Sequence, residues 1–175
     1  MVTVATAQHA ISVADAWALL GTVMDPEVPV VSIVELGIVR DVAPRVGGFG
    51  VTITPTYSGC PAMDMIARDI RDAFAREGAA VDVVTTLAPA WTTDWMSPEA
   101  KARLTAFGIA PPGPVGKARI NVAGISQLRR RADIVACPRC GSAATTLIAQ
   151  FGSTACKALY RCDDCREPFD HFKAH

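Results

Sequence analysis

The sequence predicts an α+β fold, a small sheet packed against helices, followed by a small β ribbon that depends on a metal. Three observations carry this. Apolar residues recur at spacings of three and four in several stretches before residue 110, with β-branched, alternating stretches between them. Ala110-Pro111-Pro112-Gly113-Pro114 then breaks any regular element. Beyond it stand two Cys-x-x-Cys pairs in a stretch of about 40 residues, a length that usually needs a metal or disulfides to fold. The domains are therefore expected at 1–110, with a proline-rich and then basic connector at 111–136 and the ribbon at 137–175.

In chain order, Ser12 is placed as the N-cap of a first helix over 13–24, since Val13, Trp17, Leu20, Val23 and Met24 share one face. Asp25-Pro26-Glu27 ends it. The segments Val31–Val42 and Phe49–Thr56, separated by Gly47-Gly48, read as a β-hairpin. Pro61 suits the first position of a second helix, in which Met63, Ile66, Ile70 and Phe74 line one face and Gly78 closes the end. Val81–Leu87 reads as a third strand. Pro98–Phe107 reads as a helix between caps Ser97 and Gly108, and Ile120–Val122 as a short strand.

Composition narrows the function. Half the 175 residues are apolar, 19% are charged and the net charge is zero, a globular balance rather than that of a disordered adaptor. Residues 1–110 carry seven basic and twelve acidic side chains, and from 137 onward the count is five basic to four acidic. Neither part has the positive field that phosphate recognition needs, so nucleic acid is not expected as a partner. The run Arg129-Arg130-Arg131 reads as a solvated linker. The start MVTVATAQHA lacks a basic leader and no apolar run reaches the roughly 20 residues of a membrane span, which points to the cytoplasm and away from a membrane.

In a reducing compartment, cysteines in Cys-x-x-Cys pairs read as metal ligands. Cys137-Cys140 and Cys162-Cys165 each place two sulfurs on one tight turn, and the 21 intervening residues suffice for a strand, a turn and a second strand. Zinc is the expected metal, in a closed site that serves folding. Iron or an iron–sulfur cluster accepts the same four thiolates, with Cys156 as an alternate ligand. Phe151, Tyr160, Phe169 and Phe172 are expected to form the ribbon core.

Two further features of the first domain carry chemistry. Cys60 follows Ser58-Gly59 at the start of a helix, where unpaired backbone N–H groups and the helix dipole favour a thiolate; the bland alternative is a small buried side chain. Asp25 and Glu27 can support a cation or docking, or simply form the turn around Pro26. His9, His171 and His175 lie outside the domain's motifs, so a cysteine–histidine catalytic pair is hard to assemble, and no glycine-rich phosphate loop is present.

These residues resemble a known family. Asp25-Pro26-Glu27, Ser32-Ile33-Val34-Glu35-Leu36-Gly37-Ile38-Val39 and Thr56-Tyr57-Ser58-Gly59-Cys60-Pro61-Ala62 are similar to the SufT-like domain associated with iron–sulfur assembly. Pro89-Ala90-Trp91-Thr92-Thr93-Asp94-Trp95-Met96 and Phe151–Cys162 resemble the PaaD (PaaJ) family, the D components of the phenylacetyl-CoA epoxygenase system of phenylacetate catabolism. The resemblance implies a non-catalytic accessory that assembles or matures the oxygenase and reductase subunits, with iron–sulfur assembly proteins as further partners. It also makes Cys60 the functional thiol, as the cysteine of the family's Gly-Cys-Pro motif. The sequence departs from the family at Phe172-Lys173-Ala174-His175, where a further cysteine is expected after the lysine. An iron-binding electron carrier of the same system and a zinc-ribbon nucleic-acid binder are the competing readings.

Overall fold

The computed structural model describes residues 11–113 and 134–174; the expected strand Ile120–Val122, the run Arg129-Arg130-Arg131, His9 and His175 lie outside the described residues. The chain divides into two compact units, Met1–Trp91 and Thr92–His175. The first unit opens with helix α1, Val13–Leu20. Ser12 Oγ accepts the Asp15 N–H at 3.2 Å while Asp15 accepts the Ser12 N–H at 2.9 Å, a reciprocal capping box. The helix stops at Leu20 rather than at 24 because the next residues find other partners: Val23 C=O accepts from Ile33 N–H and Met24 bridges Ser32. Residues 31–38, expected to open a strand, instead form turns, with Gly37 at φ 71°.

Strands β1 (Val39–Arg45) and β2 (Gly48–Ile53) pair antiparallel around Val46-Gly47. Helix α2 (Met63–Arg76) then crosses to β3 (Ala80–Thr85), which lies parallel to β2, giving the order β1-β2-β3. The crossover follows from the 3.6-residue period: Ile66, Ile70, Ala73 and Phe74 are fully buried, and Phe74 meets Phe49 of β2 at 5.6 Å between ring centroids. Each large apolar side chain so buried contributes about 1.5–3 kcal/mol. Gly78, at φ 69°, ends α2 as the sequence predicts: its N–H reaches Ala75 C=O and that of Ala79 reaches Phe74 C=O. The unit closes on Trp91, which is 5% exposed and donates from Nε1 to Leu36 C=O at 3.0 Å.

In the second unit, helix α3 (Pro98–Phe107) has the expected caps: Ser97 Oγ accepts the Ala100 N–H at 3.0 Å and Gly108 turns the chain at φ 95°. Strand β4 (Ile109–Ala110) follows and pairs parallel with β7 (Pro168–Phe172). With β5 (Thr145–Ala149) and β6 (Lys157–Cys162) this makes a four-stranded sheet in the order β4-β7-β6-β5. The compact units thus divide at Trp91, ahead of the edge read at 110. The prolines after Ala110 stop the strand but leave its two residues free to join a sheet completed much later in the chain. Ala110, Val135, Cys137, Cys162 and Phe169 form a buried cluster, with Tyr160 against it. Phe172 is buried as expected, whereas Phe151 is 68% exposed, its ring covered by Lys173 Nζ at 4.4 Å.

Candidate functional site

The four expected cysteines come together. Cys137, Cys140, Cys162 and Cys165 place their sulfurs within 4.8 Å of one another, the one such group of three or more potential ligands among the described residues. Two matching turns achieve this. In the first, Gly141 N–H donates to Cys137 C=O at 2.9 Å and Cys137 N–H to Ser142 C=O at 2.8 Å. In the second, Arg166 N–H donates to Cys162 C=O at 3.1 Å and Cys162 N–H to Glu167 C=O at 3.0 Å. The first sulfur of each pair is buried and the second exposed. Ser142 Oγ donates to Asp164, which ties one turn to the other.

The donor set fits a tetrahedral metal. A metal–sulfur bond of about 2.3 Å implies sulfurs roughly 3.8 Å apart, and the separations are 3.8 Å for Cys137–Cys165 and 3.5 Å for Cys140–Cys162. Electrostatics differ across the quartet. The Cys165 N–H donated to Cys162 Sγ is the main cause that lowers the Cys162 thiol to about 7. For Cys165 the Glu167 N–H acts downward, but desolvation and the thiols of Cys162, Cys140 and Cys137 outweigh it and push the group up to about 12. The Ser142 N–H likewise lowers Cys140, and Cys162 with burial more than reverses it, so its pKa is raised. Cys140 and Cys165, both raised, hold protons that a divalent cation would displace.

Cys156 lies outside this quartet; it is 4% exposed, and its sulfur is 3.0 Å from Thr154 Oγ1. In the first unit Cys60 is half-buried, and its N–H donates to Tyr57 C=O at 3.1 Å. Helix α2 begins at Met63 with Ala62 as N-cap and no side-chain cap, so Pro61 precedes the helix instead of occupying its first position. Asp25 is 7% exposed and accepts the N–H groups of Glu27 and Val28, both at 2.8 Å. That is the turn-forming role; Glu27, half-exposed beside it, belongs to the same turn. Thr54 Oγ1, at the head of the segment that leads to Cys60, is buried without a hydrogen-bond partner.

A family model described as the PaaD zinc beta ribbon domain matches residues 123–173, and one described as iron-sulfur cluster assembly protein matches residues 14–86. The chain is 52% identical over 158 residues, 90% of each chain, to a protein of Escherichia coli (strain K12) provisionally named as the D component of 1,2-phenylacetyl-CoA epoxidase. The chain belongs to the PaaD family. It is also 38% identical over 91 residues, 49% of this chain and 84% of the other, to an Fe-S protein maturation auxiliary factor of Porphyromonas gingivalis (strain ATCC BAA-308 / W83). A crystal structure of a DUF59 domain from Bacillus anthracis covers 52% of this chain and 89% of its own at 34% identity, with a TM-score of 0.48.

The PaaD ribbon model and the quartet agree on a metal-binding β ribbon. Sequence reading missed two of its supports. Ala110 packs against Cys137 and Cys162 from β4, and its C=O accepts from His171 Nδ1 at 3.2 Å. Arg166 adopts φ 67°, where the first PaaD turn has Gly141 at φ 76°. Comparing Cys-Gly with Cys-Arg after the two Cys-x-x-Cys pairs would have signalled the second; nothing in the local sequence signals the first. No described helix is long and apolar enough to cross a membrane.

Proposed function

We propose that this chain is a non-catalytic accessory subunit that assists assembly or iron and iron–sulfur maturation of the multicomponent phenylacetyl-CoA epoxygenase in the cytoplasm. The observation that carries the reading is the union in one chain of an assembly-type unit holding Cys60 ahead of α2 with a ribbon whose four thiolates close around one another. A tetrahedral four-thiolate site has no open position for chemistry, so zinc there would serve folding and shape a docking surface. Cys60 then stands as the thiol that engages iron or a cluster in transit, as cargo rather than resident cofactor. The oxygenase and reductase subunits are the partners on this reading, with Asp25 and Glu27 supporting the fold of the docking unit.

The test is iron per oxygenase complex purified from wild-type and Cys60→Ser strains, with a melting curve of each accessory protein. Serine keeps size and hydrogen bonding, so stability should fall by no more than about 1 kcal/mol, while iron loading and growth on phenylacetate drop. Equal iron with equal stability would remove Cys60 from maturation. An electron carrier instead requires iron at the quartet, which would colour the anaerobically purified protein, whereas zinc is colourless.

A further inference from the structure

The two cysteine turns are alike in plan and unequal in build. In the first, the residue after the second cysteine is Gly141 at φ 76°; in the second, Arg166 occupies the same left-handed region at φ 67°. An L-residue with a Cβ is disfavoured there by clash with the following carbonyl oxygen, and glycine is not. Both turns close through the same two backbone hydrogen bonds. Those of the first turn measure 2.9 and 2.8 Å, and their counterparts in the second 3.1 and 3.0 Å. Arg139, within the first turn, also lies near the carbonyl end of α3, its Nη2 3.7 Å from where a Cβ at Gly108 would stand. A guanidinium is favoured at that end of a helix.

We propose that the quartet releases its metal from the Cys162–Cys165 turn first, with Arg166 as the residue that sets this order. Opening the second turn lets Arg166 return to an ordinary backbone conformation; opening the first brings no such relief at Gly141. Each sulfur that leaves the metal takes a proton from solvent, so charge balances without a redox step. The pair Cys162–Cys165 is therefore the half of the site that an incoming ligand of another protein or a chelator meets. The inference rests on the quartet holding a metal, which the metal content of the purified full-length protein checks separately.

Two measurements on the metal-loaded full chain test it. With excess 4-(2-pyridylazo)resorcinol as the acceptor, Arg166→Gly should slow metal release on the order of five- to tenfold, the value of one relieved left-handed residue. Arg166→Ala keeps the Cβ and with it the backbone cost, removes the guanidinium and its stem, and should release within about twofold of wild type. Wild-type rates in Arg166→Gly, or equal slowing in Arg166→Ala, would overturn the proposal. The second measurement needs no variant: limiting iodoacetamide during chelation, followed by peptide mass spectrometry, should mark Cys165 and Cys162 ahead of Cys140. Exposure alone predicts another order, since Cys140 and Cys165 are exposed while Cys162 is 0% exposed. Labelling of Cys140 before Cys162 would overturn the proposal.

Discussion

Replacing Ala110 with leucine puts an isobutyl group where a methyl is 2% exposed and packed among Val135, Cys137, Cys162 and Phe169. The backbone of β4 can keep its pairing with β7, so the perturbation is one of packing. Overfilling such a site costs about 1–3 kcal/mol. A ribbon of this size folds with its metal, so that cost appears in the apparent metal affinity. Taking about 2 kcal/mol, and tenfold per 1.4 kcal/mol, the dissociation constant should rise roughly 30-fold. Competition against a chelator of known affinity measures it, and Val46→Ala, at a fully exposed position in the other unit, should leave it unchanged. Metal affinity of Ala110→Leu within about twofold of wild type would refute the inclusion of β4 in the metal-binding unit.

Cys137→Ser should lose one equivalent of bound metal by elemental analysis and leave residues 134–174 open to protease; unchanged metal content with an intact tail would rule out the quartet. Acid should strip the metal. A lowered thiol favours the charged form, and that advantage disappears as pH falls through about 7 for Cys162; Cys140 and Cys165, both raised, are protonated through the neutral range. Binding must thus expel at least three protons below pH 7 and at least two just above it, so the logarithm of the apparent affinity should fall more steeply with acidification below about 7. A pH-independent affinity between 6 and 8 would contradict this. Trp91→Phe removes the bond to Leu36 C=O, which sits in a residue 1% exposed, and should destabilise the first unit by about 1–3 kcal/mol in urea titration.

Elements whose cause is local were legible in the residues. The capping serine and closing glycine of α3, the apolar face and Gly78 terminus of α2, and the four clustered cysteines all lie within a few positions of the feature they specify. Where expectation and structure part, the deciding partner lies further off. Helix α1 stops at Leu20 because Ile33 and Ser32 take the backbone groups that Val23 and Met24 would have given to a further turn. Phe151 looked like core by its side chain, but it falls in the connection between β5 and β6 rather than in a strand, and stays exposed beneath Lys173.

Residue identity and spacing set the chemistry on offer: four soft ligands in two turns, a cysteine before a helix, and carboxylates suited to a turn around Pro26. These are local quantities, and a linear reading reaches them. How those groups are supported is a matter of the folded chain. Ile109 and Ala110 precede a proline-rich break, yet they pair with Asp170 and His171 and place Ala110 in one buried cluster with two cysteines of the quartet. A two-residue strand has too few hydrogen bonds to specify itself; it exists because the edge of β7, some 60 residues later, offers unpaired backbone groups and an apolar surface to cover.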